Sequence, residues 1–285
     1  MKKIGLIVKE DVEAIRHADT FETWLVSQGV AVTRRDIEWP YRAHRENGFS
    51  EASSDLDCVF ALGGDGTFLS AVHWIGDRKI PILGVKFGEL GFLAEIDENS
   101  LLHVGEAVLK GAFKTRPRMR LQVEIHRRGQ ETANETVLND VVINRGASAH
   151  LAHIQTYIDE HFLTEYRADG LIVSTPTGST AYSLAAGGPI VHPGVNGMLL
   201  TPICPFTLTN RPLLVPDSVG IKLQLAERSS AAIVTFDGQA GREIDGGDII
   251  GIRKGNHPIH VITLLDHDDY FDLLKTKLRW SGSRV

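Results

Sequence analysis

Leu62-Gly63-Gly64-Asp65-Gly66-Thr67 ends an apolar run that begins at Asp57, and the helical apolar pattern of residues 68–75 follows it. A short apolar run stopped by glycines reads as a buried strand, and strand, glycine turn and helix form the unit from which parallel sheets are built. The stretch also has chemical meaning. Backbone N–H groups with almost no side-chain bulk close around phosphate oxygens, glycine permits positive φ and close approach, and a helix starting near Phe68 aims its positive dipole end at the same anion. The other reading is a tight turn in which Asp65 caps the helix. No Gly-Lys-Ser/Thr follows, so this is not a P-loop. A carboxylate beside a polyphosphate is repelled unless a metal ion or a reacting hydroxyl requires it.

Working outward, residues 1–114 alternate between strand and helix patterns. Strands are predicted at 4–8, 30–33, 57–62 and 80–85, and helices at 12–28, 68–75 and 100–110, with Gly29 and Gly111 closing two of the helices. That alternation implies a parallel sheet covered by helices. A polar connection fills 34–55. From Thr115 the signals become short strands and turns, beginning with a hairpin over 121–126 and 132–137 and continuing at 141–144, 154–158, 170–173, 220–225, 231–236, 248–254 and 259–264. This density of strands predicts a mainly antiparallel sandwich over 115–264. One helix, 268–278, closes the chain.

The 285 residues are enough for two domains with substantial cores, and 42% hydrophobic with 23% charged residues is ordinary for a soluble globular protein. A net charge of −6 without a long basic run argues against nucleic acid, so any anion site is built locally. The apolar run after Met1-Lys2-Lys3 stops at Lys9-Glu10-Asp11, too short for a signal peptide or a membrane span. Cys58 and Cys204 sit in separate apolar segments without metal or redox spacing and read as buried free thiols of a cytoplasmic protein.

A second segment, residues 168–189, runs from a strand into Ser174-Thr-Pro-Thr-Gly-Ser-Thr-Ala-Tyr-Ser183, with Ser179 or Thr180 placed to cap a short helix before Gly187-Gly188-Pro189. Hydroxyls, small side chains and one tyrosine suit a nucleoside, and equally suit an elaborate capped turn. Beside it stands Leu138-Asn139-Asp140-Val141, where an amide and a carboxylate interrupt an apolar strand and require partners, from the turn or from a ligand.

Gly63-Gly-Asp-Gly-Thr67, the Asn139-Asp140 pair, segment 168–191 and the ending 270–280 occur in the order found in the NAD kinases, which the chain closely resembles over nearly its whole length. The glycine motif alone is shared with phosphofructokinases and with diacylglycerol and sphingosine kinases. Segment 168–191 narrows the resemblance. It implies a Rossmann-like α/β N-terminal domain (1–114), an all-β sandwich that binds NAD (115–264) and a C-terminal helix (265–285) returning to the first domain.

The reaction so implied moves the γ-phosphoryl group of ATP to the 2′-hydroxyl of the adenosine ribose of NAD, giving NADP, with a divalent cation such as Mg²⁺ neutralising the phosphates. Asp65 is the implied base. Gly63, Gly64, Gly66 and Thr67 would hold phosphates. Asp65, Gly66, Asn139, Asp140, His150, Arg167, Asp169, Thr180, Ala181, Tyr182, Ser183, Leu184, Ala185 and Gln239 would contact NAD, and no protein ligand for the metal is assigned. Relatives are dimers or tetramers, so a homodimer or homotetramer is implied, with Asp169 completing a site across subunits. Two other classes stay open: a lipid or sugar kinase sharing the glycine motif, and a non-catalytic NAD or NADP sensor. Relatives usually carry Asn-Glu where this chain has Asn139-Asp140, which shortens the acid by one methylene, and His where it has Phe206. Asp266-His267-Asp268-Asp269 reads as helix capping rather than a metal cluster, and Trp24 and Trp74 as core residues.

Overall fold

The computed structural model describes residues 1–37, 52–88, 91–146, 150–264 and 270–280. Most of the 34–55 connection and the acidic cluster 266–269 lie outside the described residues. In chain order the elements are β1 (Lys3–Lys9), α1 (Val12–Ser27), β2 (Ala31–Ile37), β3 (Cys58–Gly63), α2 (Asp65–Ile75), β4 (Ile82–Lys86), β5 (Ile96–Asp97), α3 (Leu101–Leu109) and β6 (Phe113–Arg118). Then follow β7 (Leu121–Arg127), β8 (Gln130–Val137), β9 (Asp140–Asn144), β10 (Ala152–Ile158), β11 (His161–Ala168), β12 (Gly170–Ser174) and a four-residue α4 (Tyr182–Ala185). The chain ends with β13 (Gly197–Ile203), β14 (Leu213–Pro216), β15 (Ile221–Leu225), β16 (Ala232–Phe236), β17 (Ala240–Ile244), β18 (Ile249–Lys254), β19 (Ile259–Leu264) and α5 (Tyr270–Leu278). Two compact units result: Met1–Pro117 with Ile259–Val285, and Arg118–Pro258.

The first unit is built on a sheet of order β2-β1-β3-β4-β19-β6, with β5 attached to β4. Pairing is parallel from β2 through β19. All six residues of β3 are buried, as expected of a central parallel strand covered on both faces. Helix α1 starts at Asp11, whose carboxylate accepts from the N–H groups of Glu13 and Ala14, and buries a single stripe of Ala14, Ala18, Phe21 and Leu25. Strand order reverses between β1 and β3. The carboxyl ends of two strands that diverge in this way leave a crevice where α/β sheets bind ligands, and the glycine turn after β3 stands there. Lys9 at the end of β1 is its neighbour, with Cβ 3.0 Å from where a Cβ at Gly63 would lie.

In the second unit two six-stranded sheets, β11-β10-β15-β18-β7-β8 and β14-β13-β12-β9-β16-β17, share one core. Each neighbouring pair is antiparallel. Alternate residues such as Leu121, Val123 and Ile125 of one sheet and Val141, Ile143, Leu171 and Val173 of the other fill it.

Several expectations change. Strand β19, placed with the sandwich by its position after eight predicted short strands, instead pairs with β4 in the first unit, Val261 opposite Ile82. Strands β5, β6, β11, β13, β14 and β17 carry no clear alternation or are short, and the sequence pattern does not expose them. Helix α2 starts at Asp65 rather than Phe68, with Gly64 at the cap position. Gly64 has φ −110 and Gly63 is not among the glycines with positive φ, so conformational freedom is not what the motif uses here. Gly63 is required for space: a Cβ there would fall 2.1 Å from the Thr67 hydroxyl oxygen. Ser179 and Thr180 do not cap α4; their hydroxyls bond back to Pro176 and Thr177 carbonyls. Cys58 is buried, and burial pushes its thiol up to about 12. Cys204 is exposed, not buried as expected, because it follows the last residue of β13 in a left-handed conformation (φ 44). Trp74 is buried, and Trp24, half-buried, packs against the separate core cluster that holds Phe21, Leu25 and Phe60.

Candidate active site

In the first unit, the buried strand β3 delivers Gly63 and Gly64 into α2, whose N-terminus has no side-chain cap. The space over Gly64 is open, with nothing within 4 Å of a Cβ built there. First-turn N–H groups without a side-chain cap are what an incoming phosphate needs. Asp65, the first helical residue, does not point out as a simple cap. Its Oδ2 accepts from the Phe92 N–H at 2.9 Å, and its Oδ1 from Leu93 at 2.9 Å and Ala94 at 3.1 Å. The carboxylate is thereby fixed against the segment that follows β4, and among the described residues Oδ2 keeps one open lone-pair direction. Thr67 is buried beneath the turn.

In the second unit, the Asn139-Asp140 turn is held from three sides. Asp237, with φ 50 after β16, accepts from the N–H groups of Leu138 (2.9 Å), Asn139 (2.7 Å) and Asp140 (3.2 Å). Thr175 donates its N–H to the Asn139 carbonyl at 2.8 Å and its hydroxyl to the Leu138 carbonyl at 2.6 Å. Gly178 packs so closely that a Cβ would sit 2.1 Å from the Asn139 carbonyl oxygen. The backbone is therefore fully engaged, while among the described residues no hydrogen bond reaches the Asn139 carboxamide or the Asp140 carboxyl. Burial first, and the Asp237 charge second, push the Asp140 carboxyl up to about 7.

Asp140 stands opposite Ser174 in the β9–β12 register, so both side chains share the face turned away from the sandwich core. Among the described residues the buried Ser174 hydroxyl has no hydrogen-bond partner, nor do the two polar atoms of the Gln239 carboxamide in the turn after β16. Buried polar atoms left unpaired are uncommon and cost about 1–3 kcal/mol each, so a cluster of them marks a place where a ligand supplies partners. Ser174 escaped sequence reasoning. Its signal, a hydroxyl opposite Asp140, exists only once the strand pairing is known.

The remaining candidates separate. Tyr182 and Ala185 are exposed and available, with Thr180, Ala181 and Leu184 partly so. Ser183 is not: its hydroxyl is buried against Thr201 at 2.8 Å and ties α4 to β13. The Asp169 carboxylate accepts from Arg145 Nε at 2.6 Å within its own chain. Arg167 is exposed and lies over the Phe206 ring at 4.9 Å, so Phe206 gives that guanidinium a face to rest on. His150 is exposed. Glu124, His126 and Glu131 gather on the β7–β8 hairpin, but Arg253 already pairs with Glu124.

A family model described as the ATP-NAD kinase N-terminal domain matches residues 4–113, and one described as the ATP-NAD kinase C-terminal domain matches 138–264. A protein of Desulfatibacillum aliphaticivorans named NAD kinase is 51% identical over 285 residues, covering all of both chains. One of Geotalea daltonii, of the same name, is 42% identical over 98% of this chain and 99% of its own. Among solved structures, the yeast NADH kinase complexed with NADH is similar at TM-score 0.86 and 28% identity, over 100% of this chain and 89% of that one. An Archaeoglobus fulgidus NAD kinase in complex with ATP is similar at TM-score 0.74 and 25% identity, over 98% and 100%.

Proposed function

Because the chain belongs to the ATP-NAD kinase family, with an N-terminal and a C-terminal domain of that family in order, we propose a division of labour among its residues for moving the γ-phosphoryl group of ATP to NAD. The family match does not favour the lipid- or sugar-kinase or sensor readings. The ribose 2′-hydroxyl is a poor nucleophile at neutral pH, so the protein must position it, accept its proton and balance the charge of the triphosphate.

Asp65 is the base. The observation that carries this role is its carboxylate, fixed by three amides at a helix N-terminus without a side-chain cap, with one oxygen position open among the described residues. The Gly64, Gly66 and Thr67 amides take phosphate oxygens. A divalent cation travels with ATP as part of the substrate, and no side chain is assigned to it. Asn139, Asp140 and Gln239 bind NAD; the two carboxamides, without partners among the described residues, and the Asp140 carboxyl, raised by burial, support this, since each can bond ring nitrogens or ribose hydroxyls. Tyr182 and its neighbours add contact surface. The unpaired thiols fit a reducing, cytoplasmic location. A homo-oligomer in which Asp169 reaches a neighbour's NAD requires the Arg145 pair to open or to be shared.

The test is a coupled assay for NADP formation with ATP, NAD and Mg²⁺. Asp65→Asn should lower kcat by roughly 10²–10⁴-fold. It also leaves one of the 92–94 amides facing an NH₂ group, which should cost about 1–3 kcal/mol of stability. Near-normal turnover would remove Asp65 from the chemistry.

A further inference from the structure

We propose that Gly91 is a positioning residue of the phosphoryl transfer, because its missing side chain is what lets the amides of Phe92, Leu93 and Ala94 hold the Asp65 carboxylate in its working orientation. The proposal rests on the reading of Asp65 as the base. A Cβ at position 91 would lie 1.9 Å from Asp65 Oδ1, 2.7 Å from its Cγ and 3.1 Å from its Oδ2. These are the three nearest atoms to that point, so what any side chain at 91 meets first is the carboxylate. To reach an ordinary contact the carboxylate would have to retreat by roughly 1 Å or more, a displacement that can cost on the order of 10² in rate when it moves a reacting group.

The clamp also selects the atom that reacts. Among the described residues Oδ1 takes two donors, Leu93 and Ala94, and Oδ2 takes one, Phe92. The proton of the 2′-hydroxyl therefore passes to the open position on Oδ2, as the 2′-oxygen bonds to the γ-phosphorus and the bond from that phosphorus to the bridging oxygen of ADP breaks. A carboxylate swung away by a methyl group at 91 keeps its charge and loses that direction. The nucleotide-binding groups of the second unit are untouched, so the loss falls on kcat and not on KM for NAD.

Gly91→Ala, Asp65→Ala and the double variant test this with thermal unfolding and steady-state kinetics on the full chain. Gly91→Ala should lower kcat on the order of 10²-fold while KM for NAD stays within about threefold. It should lower the unfolding midpoint in the wild-type background and leave it unchanged in the Asp65→Ala background, where the obstacle is gone. If Gly91→Ala does not fold, recovery of folding in the double variant supports the same contact, and failure of both overturns the proposal. An unchanged kcat, or an equal loss of stability in both backgrounds, also overturns it. Near-normal turnover by Asp65→Ala would instead overturn the base assignment, so the two failures are told apart.

Discussion

Asp140→Asn should abolish a pH dependence of stability that the protein owes to one buried carboxyl. Asp140 is 4% exposed, and burial together with the Asp237 charge raises its carboxyl from 3.8 to about 7. In the unfolded chain the group returns to about 4. The folded state thus holds this proton more tightly than the unfolded state. Its contribution is complete below about pH 4 and is lost as pH rises through 7. Integrated from pH 5 to pH 8, single-site linkage gives a loss of about 2–3 kcal/mol in the wild type. Asparagine keeps the shape without the proton, and its contribution is flat. Urea unfolding of both proteins at pH 5, 6, 7 and 8 measures the effect as the stability of the variant minus that of the wild type, in which the other titrating groups largely cancel. That difference should increase by about 2–3 kcal/mol toward alkaline pH. A constant difference across the range would refute the linkage and the burial argument behind it.

Asn139→Ala should raise KM for NAD several-fold more than KM for ATP, and the reverse pattern in steady-state kinetics would move Asn139 away from NAD. Gly178→Ala, which forces a methyl group to 2.1 Å from the Asn139 carbonyl oxygen, should cost about 1–3 kcal/mol and weaken NAD binding, read by unfolding and by calorimetric titration. Mixing Asp65→Asn subunits with Asp169→Ala subunits should restore activity at limiting NAD if Asp169 serves a neighbour's site. Exchange without recovery would leave Asp169 as the partner of Arg145 alone.

How much was legible in the sequence depended on whether a role was local. The glycine turn, the strand–helix alternation and the hairpin at 121–137 are set by neighbours within a few residues, and period and turn chemistry expose them. Strand β19 looks like every other short strand around it; only pairing with β4 assigns its sheet. The same holds at the site. Asn139 and Asp140 stand out as polar residues in an apolar run, but the group that fixes them, Asp237, is 98 residues away from Asn139. Gly91, Ser174 and Gly178 have no local anomaly at all. Their meaning comes from what lies opposite: a carboxylate, a buried acid and a carbonyl. Phe206, unexplained in sequence, acquires a neighbour in Arg167.

The placement of β19 between β4 and β6 bears on how the chain is made. The polypeptide leaves the first sheet after β6 and comes back to it only at Ile259, so the 118–258 unit is an insertion between two strands that lie side by side. A nascent chain that has emerged as far as β6 still lacks a parallel strand from the interior of its sheet. The edge of β4 at Ile82 stays open until the whole sandwich has been synthesised, while β5 already covers Val85 and Lys86. The sandwich, whose strands all pair within 118–258, faces no such delay. The later-translated unit can therefore reach its native pairing first, and the glycine turn then gains a complete sheet behind it when the last strand docks.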